Sequence, residues 1–592
     1  MMMKITLDEN IWRRVKRSLQ YRAAHFFGYQ EKPGFFRPVI RRILSGILQD
    51  MPFYIPLTLP ITFHGYETSG GYDQWCQTRE RRVVHEYRII HRRNNPLFSI
   101  LVPVCDPEPE WLIMCINSVL SQGYSGWELI ICDDGSLDQK IIDLLVHLEK
   151  TDRRIHVKTL NKRSGISAAT NHAAKTARAG YLFFLDHDDV LPPYALAAFA
   201  QNIAQCTGTD ASIFYADEDR FDKNLIRMYP GFKPQFSPDK LMATNYIHHP
   251  LVISRSLFES LGGFNSKFDG SQDHDLLLRA IEKNHRVHHI PDVLYHMRIH
   301  QGSLSSGPAA KPYAHKKDKK LIEAALERRK IAGFVDMSAC DFSGYNRIVR
   351  TIKDPVEISV IILKHSRAEK KQLDAAWHGC ECLVDDLAQS DTTRLNQLVL
   401  KARGDILVFA DPDLLPIPGW QEQLVPHVLR TNIGLVTGKL VYADGQLHSC
   451  GLAGGMAGSF GRWHHGLDAN HPGYGGWMAL DHEVMAVPKQ FMAIRKKLLI
   501  ESGLFNTGLK KMGYDIDLAL RLNTQQNKRH LAIPGCRLVF EKNYSKLSAE
   551  PWNKHDFRTL WTVWGNTIEQ GDPYLNPNIS LLNEGICFIG ER

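Results

Sequence analysis

The apolar positions of this chain fall into short closed runs, separated by polar turns and alternating with segments of helical period. FSILVPVCD (98–106) is rich in β-branched residues and ends in a polar turn, the mark of a strand buried on both faces. Glu110 to Leu120 has helical spacing. WELIICDDGS (127–136) is a second such strand, closing on Asp133, Asp134 and Gly135, and a helix follows over Gln139 to Lys150. IHVKTL (155–160) gives a third strand, the Ala-rich stretch 166–178 a third helix, and GYLFFLDHDD a fourth strand. This alternation predicts an α/β fold with a doubly wound parallel sheet.

The texture then returns. EISVIILKH (357–365) echoes FSILVPVCD, ARGDILVFADPDLLPIPGW (402–420) echoes ARAGYLFFLDHDDVLPP (177–193), and KMGYDIDLALRL (511–522) echoes FDGSQDHDLLLRA (268–280). An offset of roughly 240 residues implies an internal duplication. The chain divides into an N-terminal segment (1–95), a first copy (96–307), a helical connector (308–355), a second copy (356–545) and a tail of little periodicity (546–592).

Charge changes the picture only at one end. The net charge is +8, and residues 1–95 hold about 16 Lys and Arg against about 8 Asp and Glu, so the whole excess sits there. Within that segment Phe36, Val39, Ile40, Ile43, Leu44 and Ile47 recur at helical spacing beside Arg37, Arg41 and Arg42. Ile11, Trp12, Val15 and Leu19 form a similar stripe. A basic amphipathic helix suits an anionic membrane surface, and equally a cap packed on the next domain. Nucleic-acid binding is disfavoured, because the remainder of the chain is balanced and the strand ends are acidic. The eleven cysteines are scattered, and the close pair Cys380 and Cys382 lacks a partner pair at zinc-ligand spacing, which points to reduced thiols and a cytosolic protein. No signal peptide is expected, and no apolar run approaches the roughly 18 residues that span a bilayer. The location expected is cytoplasmic, with peripheral contact at the inner face of the cytoplasmic membrane left open.

Ligands of open α/β sheets bind beyond the carboxyl ends of the strands. Asp106, Asp133, Asp134, Asp186, Asp188 and Asp189 all fall at such ends. Asp186-x-Asp188 presents two hard oxygen ligands from a tight turn, a spacing that suits Mg²⁺ or Mn²⁺. In GSQDHDLLLR (270–279) Asp273 and Asp275 precede a helical run. Such acids enrich helix N-termini, but one of them near a metal and not ligating it would serve as general base. Asp273 is the expected base and Asp275 the structural acid. HIPDVLYHMRIHQGS adds His300, and with less weight His296, as metal or diphosphate ligands.

These residues resemble glycosyltransferase family 2, whose members have the GT-A nucleotide-sugar fold. More narrowly they resemble tandem-domain enzymes of O-antigen and rhamnan-type polysaccharide assembly. The matching pieces are SILVPV, SVLSQGYSGWELIICDDGS, GISAATNHA, FLDHDDVLP, YADED, FKPQFSPDKL, NYIHHPLV, LGGF, GSQDHDLLLR and HIPDVLYHMRIHQGS, in order across roughly residues 70–310. The second copy and DPYLNPNIS (572–580) fit the tandem pattern. The resemblance implies two GT-A domains behind a basic helical segment, a nucleotide-diphosphate sugar donor, a Mn²⁺ or Mg²⁺ cofactor, and a lipid-linked or lipopolysaccharide glycan as acceptor. It implies that Asp133 or Asp134 contacts base and ribose, Asp106 lines the same pocket, Asp186 sits near the ribose, and Asp188 binds the metal. It further implies Asp273 as the base of an inverting transfer, with Asp217, Asp219 and Lys233 as weaker candidates, Lys233 toward the diphosphate. One departure stands out: the family often has Asn before the GIS turn, where this chain has Arg163-Ser164-Gly165.

The second copy is eroded. Asp411, Asp413, Asp515 and Asp517 persist, but a clear equivalent of CDDGS is absent, and the segment near Phe540, where a late histidine might be expected, reads LVFEKNYS. A structural or acceptor-binding role is expected there, with an active second transferase as the alternative. A non-catalytic glycan-binding or scaffold protein is the rival reading for the whole chain. A nucleotidyl- or phosphotransferase would want a basic loop after the first strand, where VPVCDPEPE is acidic.

Overall fold

The structure, a computed structural model, describes residues 98–206, 211–300, 312–336, 344–363, 375–385, 391–456, 459–541 and 553–579, and a few positions between 72 and 87. The basic helices expected near the N-terminus lie outside the described residues.

Strand β1 (Phe98–Val104) shows how an apolar run becomes the centre of a sheet. Phe98, Ile100, Val102 and Val104 enter one packed layer and Leu101 the other, because successive side chains of a strand point to opposite faces. β1 pairs in parallel with β2 (Trp127–Asp133) and β4 (Tyr181–Phe184), and β2 pairs in parallel with β3 (Ile155–Thr159). Helices α1 (Pro109–Leu120), α2 (Gln139–Thr151) and α3 (Ile166–Ala174) make the crossovers.

Beyond β4 the sheet is mixed. After α4 (Ala195–Gln205) come β5 (Ala211–Phe221), β6 (Arg227–Gly231), α5 (Pro238–Ala243), β7 (Leu251–Ser254), α6 (Arg255–Ser260), α7 (Gln272–Ile281) and β8 (Arg286–Arg298). β7 runs antiparallel to β4 and β5, β6 antiparallel to β5, and β8 parallel to β5. The wholly parallel sheet expected from the alternation is thus confined to its first four strands. A short apolar run does not encode the direction of its pairing.

Helix α8 (Pro312–Arg328) and the antiparallel pair β9 (Gly333–Asp336) and β10 (Arg347–Arg350) occupy the connector. The second sheet contains β11 (Ile358–Leu363), β12 (Glu381–Asp385), β13 (Ile406–Ala410), β14 (Leu414–Pro416), β15 (Ile433–Val441) and β16 (Leu447–Ser449). A small ladder of β17 (Ala453–Gly454) and β18 (Phe460–Gly461) interrupts it. The sheet resumes with β19 (His482–Val484), β20 (Phe491–Arg495) and β21 (Arg529–Phe540). Helices α9 (Thr392–Lys401), α10 (Trp420–Val428), α11 (Lys496–Glu501) and α12 (Tyr514–Gln526) flank it. Its central order β12-β11-β13-β20-β15-β21 repeats β2-β1-β4-β7-β5-β8 in position and direction.

Three side-chain clamps recur with the strands. Ser99 Oγ donates to Glu128 at 2.6 Å, and Glu128 accepts from the Arg178 backbone and guanidinium. Ser359, Glu381 and Arg403 repeat that arrangement, again with 2.6 Å from Ser to Glu. Asn171 exchanges two hydrogen bonds with the Phe264 backbone, and Asn396 does the same with Phe505. Arg279 ties Asp275 to the carbonyls of Leu261 and Gly263, and Arg521 ties Asp517 to those of Ser502 and Leu504. The Glu–Arg clamp spans 50 residues in the first copy and 22 in the second. Among the described residues, β3 has no counterpart in the shorter span.

The copies share a seam. Asp239 of α5 receives Arg430 and Arg529 from the second copy, and Ser237 pairs with Glu483. Tyr474 bridges the backbone of Pro230 and Phe232. The tail, expected to lack periodicity, carries α13 (Lys554–Glu569), which buries Leu560, Trp564 and Ile568 at helical spacing. Asn576 beyond it donates to buried Asp217 at 2.7 Å, and Asn578 to the carbonyl of Pro291.

Candidate functional site

The ends of β1, β2, β3 and β4, the start of α7 and the end of β8 converge on one rim of the first sheet. Parallel strands deliver their carboxyl ends to the same edge, so turns far apart in sequence meet there.

At the end of β4, Asp186, Asp188 and Asp189 bring one carboxylate oxygen each within 4.8 Å of one another. Among the described residues this is the cluster with metal-holding geometry. Burial and the neighbouring Asp188 and Asp186 push the Asp189 carboxyl well up. Asp186 is raised by burial and by Asp188, against the pull of His249. Three acids whose charges repel so closely fit a divalent cation, which offsets that repulsion. His300 Nε2 lies 2.8 Å from Asp188 Oδ2, so the histidine after β8 reaches the acid after β4. Asp189 is braced from β8: Tyr295 Oη donates to it at 2.9 Å and the Arg298 amide at 2.8 Å. The Arg298 guanidinium donates to the Asp188 carbonyl and sits over the rings of Phe221 and Trp111.

Asp273 stands in the first turn of α7 and lines the same small cavity as Asp186, His248 and His249. Asn245 Nδ2 donates to its Oδ2 at 2.7 Å. His249 stacks on Tyr295 with ring centroids 5.0 Å apart, and its Nε2 lies 3.5 Å from Asp186. Asp275, two residues further and so on another face of the helix, is buried and paired with Arg279.

The remaining aspartates lace three loops together. Asp106 has φ 45°, a conformation that a short polar residue tolerates. Its Oδ1 accepts from the Leu137 and Asp138 amides at 2.7 and 3.0 Å, and its Oδ2 from Arg163. The amides of Asp138 and Leu137, with Arg163, hold its carboxyl below the usual range. Asp133 Oδ1 accepts from the Ser136 amide at 3.0 Å, closing the turn after β2. Asp134 accepts from the amides of Ser164 and Gly165 at 2.7 and 2.8 Å, fixing the turn after β3. Gly135 (φ 75°) lets these turns touch, since a Cβ there would meet the Lys162–Arg163 backbone at 3.2 Å. Beside them a cavity of about 570 Å³ opens, with Asp133, Ser136, Leu137, Leu160, Lys162 and Arg163 in its wall.

Lys233, expected toward the diphosphate, is buried, and its ammonium is engaged by Glu218, the Ile247 carbonyl and the His249 carbonyl. It underpins the 245–249 loop from below. Asp217 and Asp219, expected to line the site, are buried beneath it. Asp217 meets His289, the Lys233 amide and Asn576; Asp219 meets Tyr72, Arg227 and His296. His296 is therefore a core residue. Asn245, His249, Tyr295 and Arg298 were given no role from the sequence; the one trace of the first two was the run NYIHHP.

In the second copy Asp411 Oδ1 accepts from the Asp413 amide at 3.0 Å, and Asp515 Oδ2 from the Lys489 amide at 2.8 Å. The position after Asp413 is Leu414, where the first copy has Asp189. No helix among the described residues is long and apolar enough to cross a membrane.

Comparison with known proteins agrees with the motifs. Residues 99–262 match the family model of glycosyl transferase family 2. The chain is 28% identical over 565 residues to protein y4gI of Sinorhizobium fredii, covering 86% of this chain and 60% of that one. It is 27% identical over 550 residues to the O-antigen biosynthesis protein RfbC of Myxococcus xanthus, covering 86% of this chain and 43% of that one. The chain thus spans about half the length of these curated relatives. Among solved structures, S. aureus TarS 1–349 in complex with UDP-GlcNAc is similar at 19% identity and a TM-score of 0.32, covering 39% of this chain and 66% of that one.

Proposed function

We propose, from the premise that residues 99–262 are a glycosyl transferase family 2 domain, that this chain is an inverting, divalent-metal-dependent glycosyltransferase. Its first copy transfers a sugar from a nucleotide-diphosphate donor to a hydroxyl of a growing cell-surface glycan of the O-antigen class. The acceptor is lipid-linked or lipopolysaccharide glycan. The observation that carries the reading is the meeting of the Asp186–Asp188–Asp189 triad, His300 and Asp273 on one rim.

Asp186, Asp188 and His300 would hold Mn²⁺ or Mg²⁺, with Asp189 bracing their loop through Tyr295 and Arg298. When bound, the cation offsets the charge that builds on a departing nucleoside diphosphate. Asp273, placed across the cavity from Asp186 and not in the triad, accepts the proton of the attacking acceptor hydroxyl. Asn245 fixes the carboxylate by its hydrogen bond, so one lone pair faces the cavity. Attack from the face opposite the leaving group inverts the anomeric centre and leaves no covalent enzyme intermediate. The nucleoside lies along the laced turns after β1, β2 and β3. The second copy, which has no β3 counterpart among the described residues, carries structure or acceptor contacts.

The test is turnover of a panel of UDP-, GDP- and dTDP-sugars with Mn²⁺ or Mg²⁺ by the full chain, Asp188→Ala and Asp411→Ala. We expect one donor to be consumed, Asp188→Ala to lose at least about 100-fold, and Asp411→Ala to stay within about twofold. Loss in Asp411→Ala alone would assign the reaction to the other copy. Absence of any donor turnover or binding would sink the enzyme reading.

A further inference from the structure

Helix α5 holds the candidate general base from two sides. Just beyond its last turn, Asn245 donates to Asp273 Oδ2 at 2.7 Å. Within the helix, the Leu241 carbonyl accepts from His274 Nε2 at 2.6 Å, and His274 follows Asp273 in the first turn of α7. A carbonyl only accepts, so that nitrogen carries the proton. His274 is buried, so this bond is made in the core. Both the carboxylate of Asp273 and the turn that carries it are therefore tied to one helix of six residues.

So short a helix owes its place to what grips it. The grip comes from the second copy. Buried Asp239 takes both prongs of Arg430, at 2.5 and 3.0 Å, and Arg529 Nη1 at 2.7 Å. Burial alone would raise the Asp239 carboxyl, and the guanidiniums of Arg430 and Arg529 hold it well below its usual range instead. Glu483 of β19 accepts from the Asp239 amide at 3.2 Å and pairs with the Ser237 hydroxyl, so it meets the groups that open the helix. Tyr474 grips the same segment upstream, at Pro230 and Phe232. Lys233 comes next, and its ammonium carries the carbonyls of Ile247 and His249. Charged, two-pronged contacts kept from water fix orientation as well as distance.

We propose that Arg430 and Arg529 of the second copy are positioning residues for the reaction in the first: they seat α5, and α5 aims Asp273. The inference rests on the transferase reading above and deepens it, because it gives the second copy a part in removing the acceptor's proton. The donor has other supports. Asp189 is braced from β8 by Tyr295 and Arg298, and the turns after β1, β2 and β3 are laced to one another. Unseating α5 should therefore slow the chemical step and spare nucleotide binding.

The experiment follows release of nucleoside diphosphate from whichever UDP-, GDP- or dTDP-sugar the full chain consumes with Mn²⁺, at saturating donor. Calorimetric titration of the matching nucleoside diphosphate accompanies it. The variants are Arg430→Gln, Arg430→Lys, Asn245→Ala, the double variant Arg430→Gln/Asn245→Ala, and Ser359→Ala, which strips a buried bond of the second copy on β11 and not on the seam. Arg430→Gln should turn over about 10–100-fold more slowly, the scale of a misplaced reacting group, with nucleotide affinity within about threefold of wild type. Arg430→Lys keeps the charge and loses the fork, so its rate should fall between the two. The double variant should stay within about threefold of Asn245→Ala alone, since both changes act on one carboxylate. Ser359→Ala should stay within about twofold of wild type. Should Arg430→Gln lack a native circular dichroism spectrum, Arg430→Lys, alone and combined with Asn245→Ala, carries the same comparisons. An unslowed Arg430→Gln, an equal loss in Ser359→Ala, losses that multiply in the double variant, or nucleotide affinity falling in step with the rate would each overturn the proposal and leave the transferase standing. Failure of wild type to consume any donor overturns the transferase reading and this one with it.

Discussion

The two copies keep the same clamps and differ in what the clamps enclose. Ser99–Glu128–Arg178 and Ser359–Glu381–Arg403 close the same junction of β-strands, yet one encloses β3 and the other, among the described residues, encloses no such strand. The Asn–Phe and Asp–Arg clamps are likewise duplicated atom for atom. The rim is treated differently. Asp189 becomes Leu414, and Asp515 is held by a backbone amide where Asp273 is held by Asn245. The bonds that hold the fold together are retained in both copies, while the rim keeps Asp411, Asp413 and Asp515 but changes the third acid of the triad to Leu414 and the partner of the helix-start acid. A duplicated domain thus lets the fold's bonds be compared with the rim's within a single chain.

The sharpest way to break this comparison is at the paired helix starts. Asp273→Asn should lower transfer by roughly 10²–10⁴-fold, the range of a lost general base, while Asp515→Asn should leave it within about twofold. Initial rates at saturating donor measure both; equal losses would make the copies functionally equivalent. A smaller, symmetrical effect tests the shared clamps. Ser99 is fully buried, and Ser99→Ala leaves the Ala179 amide and Glu128 each short of a partner. It should cost about 1–3 kcal/mol, and Ser359→Ala, which strips the Gly404 amide in the same way, should cost a similar amount. Chemical denaturation of the two variants reads the difference. The gentlest signature lies in the tail. Burial pushes the Asp572 carboxyl up to about 7, above an unfolded value near ~4. The folded state keeps this proton between about pH 4 and 7 and the unfolded state releases it, so stability falls as pH rises through that window. The slope is at most about 1.4 kcal/mol per pH unit, and Asp572→Asn should flatten it in melting curves taken from pH 4 to 7.

Much of the first sheet was legible because its strands are buried on both faces and read as closed apolar runs. Helix α2 matches Gln139–Lys150 to one residue, because its buried Ile141 and Leu145 sit at helical spacing. The mixed half escaped, since β7 and β8 contain the same residue types as the parallel strands and only their partners fix direction. Helix α13 was hidden by its polar composition, although Leu560, Trp564 and Ile568 mark its buried face. At the rim, Asp186, Asp188 and His300 could be singled out because each follows the end of a strand, and Asp273 because it opens a helix. Lys233 could not be placed correctly: its acceptors include carbonyls 14 and 16 residues away, and main-chain atoms leave no mark in a sequence. The loop-lacing work of Asp106, Asp133 and Asp134 was missed for the same reason.

The last described residues have a consequence for synthesis. Asn576 satisfies Asp217 across 359 residues, and Asn578 accepts from the Trp75 indole across 503. A ribosome releases the first copy long before it makes either asparagine. Through that interval Asp217, a fully buried acid in the finished protein, waits for one of its partners. The first copy therefore waits for residues made more than 270 positions after its own last strand, and a product stopped before Asn576 would expose its unfinished seam to the cell's quality control.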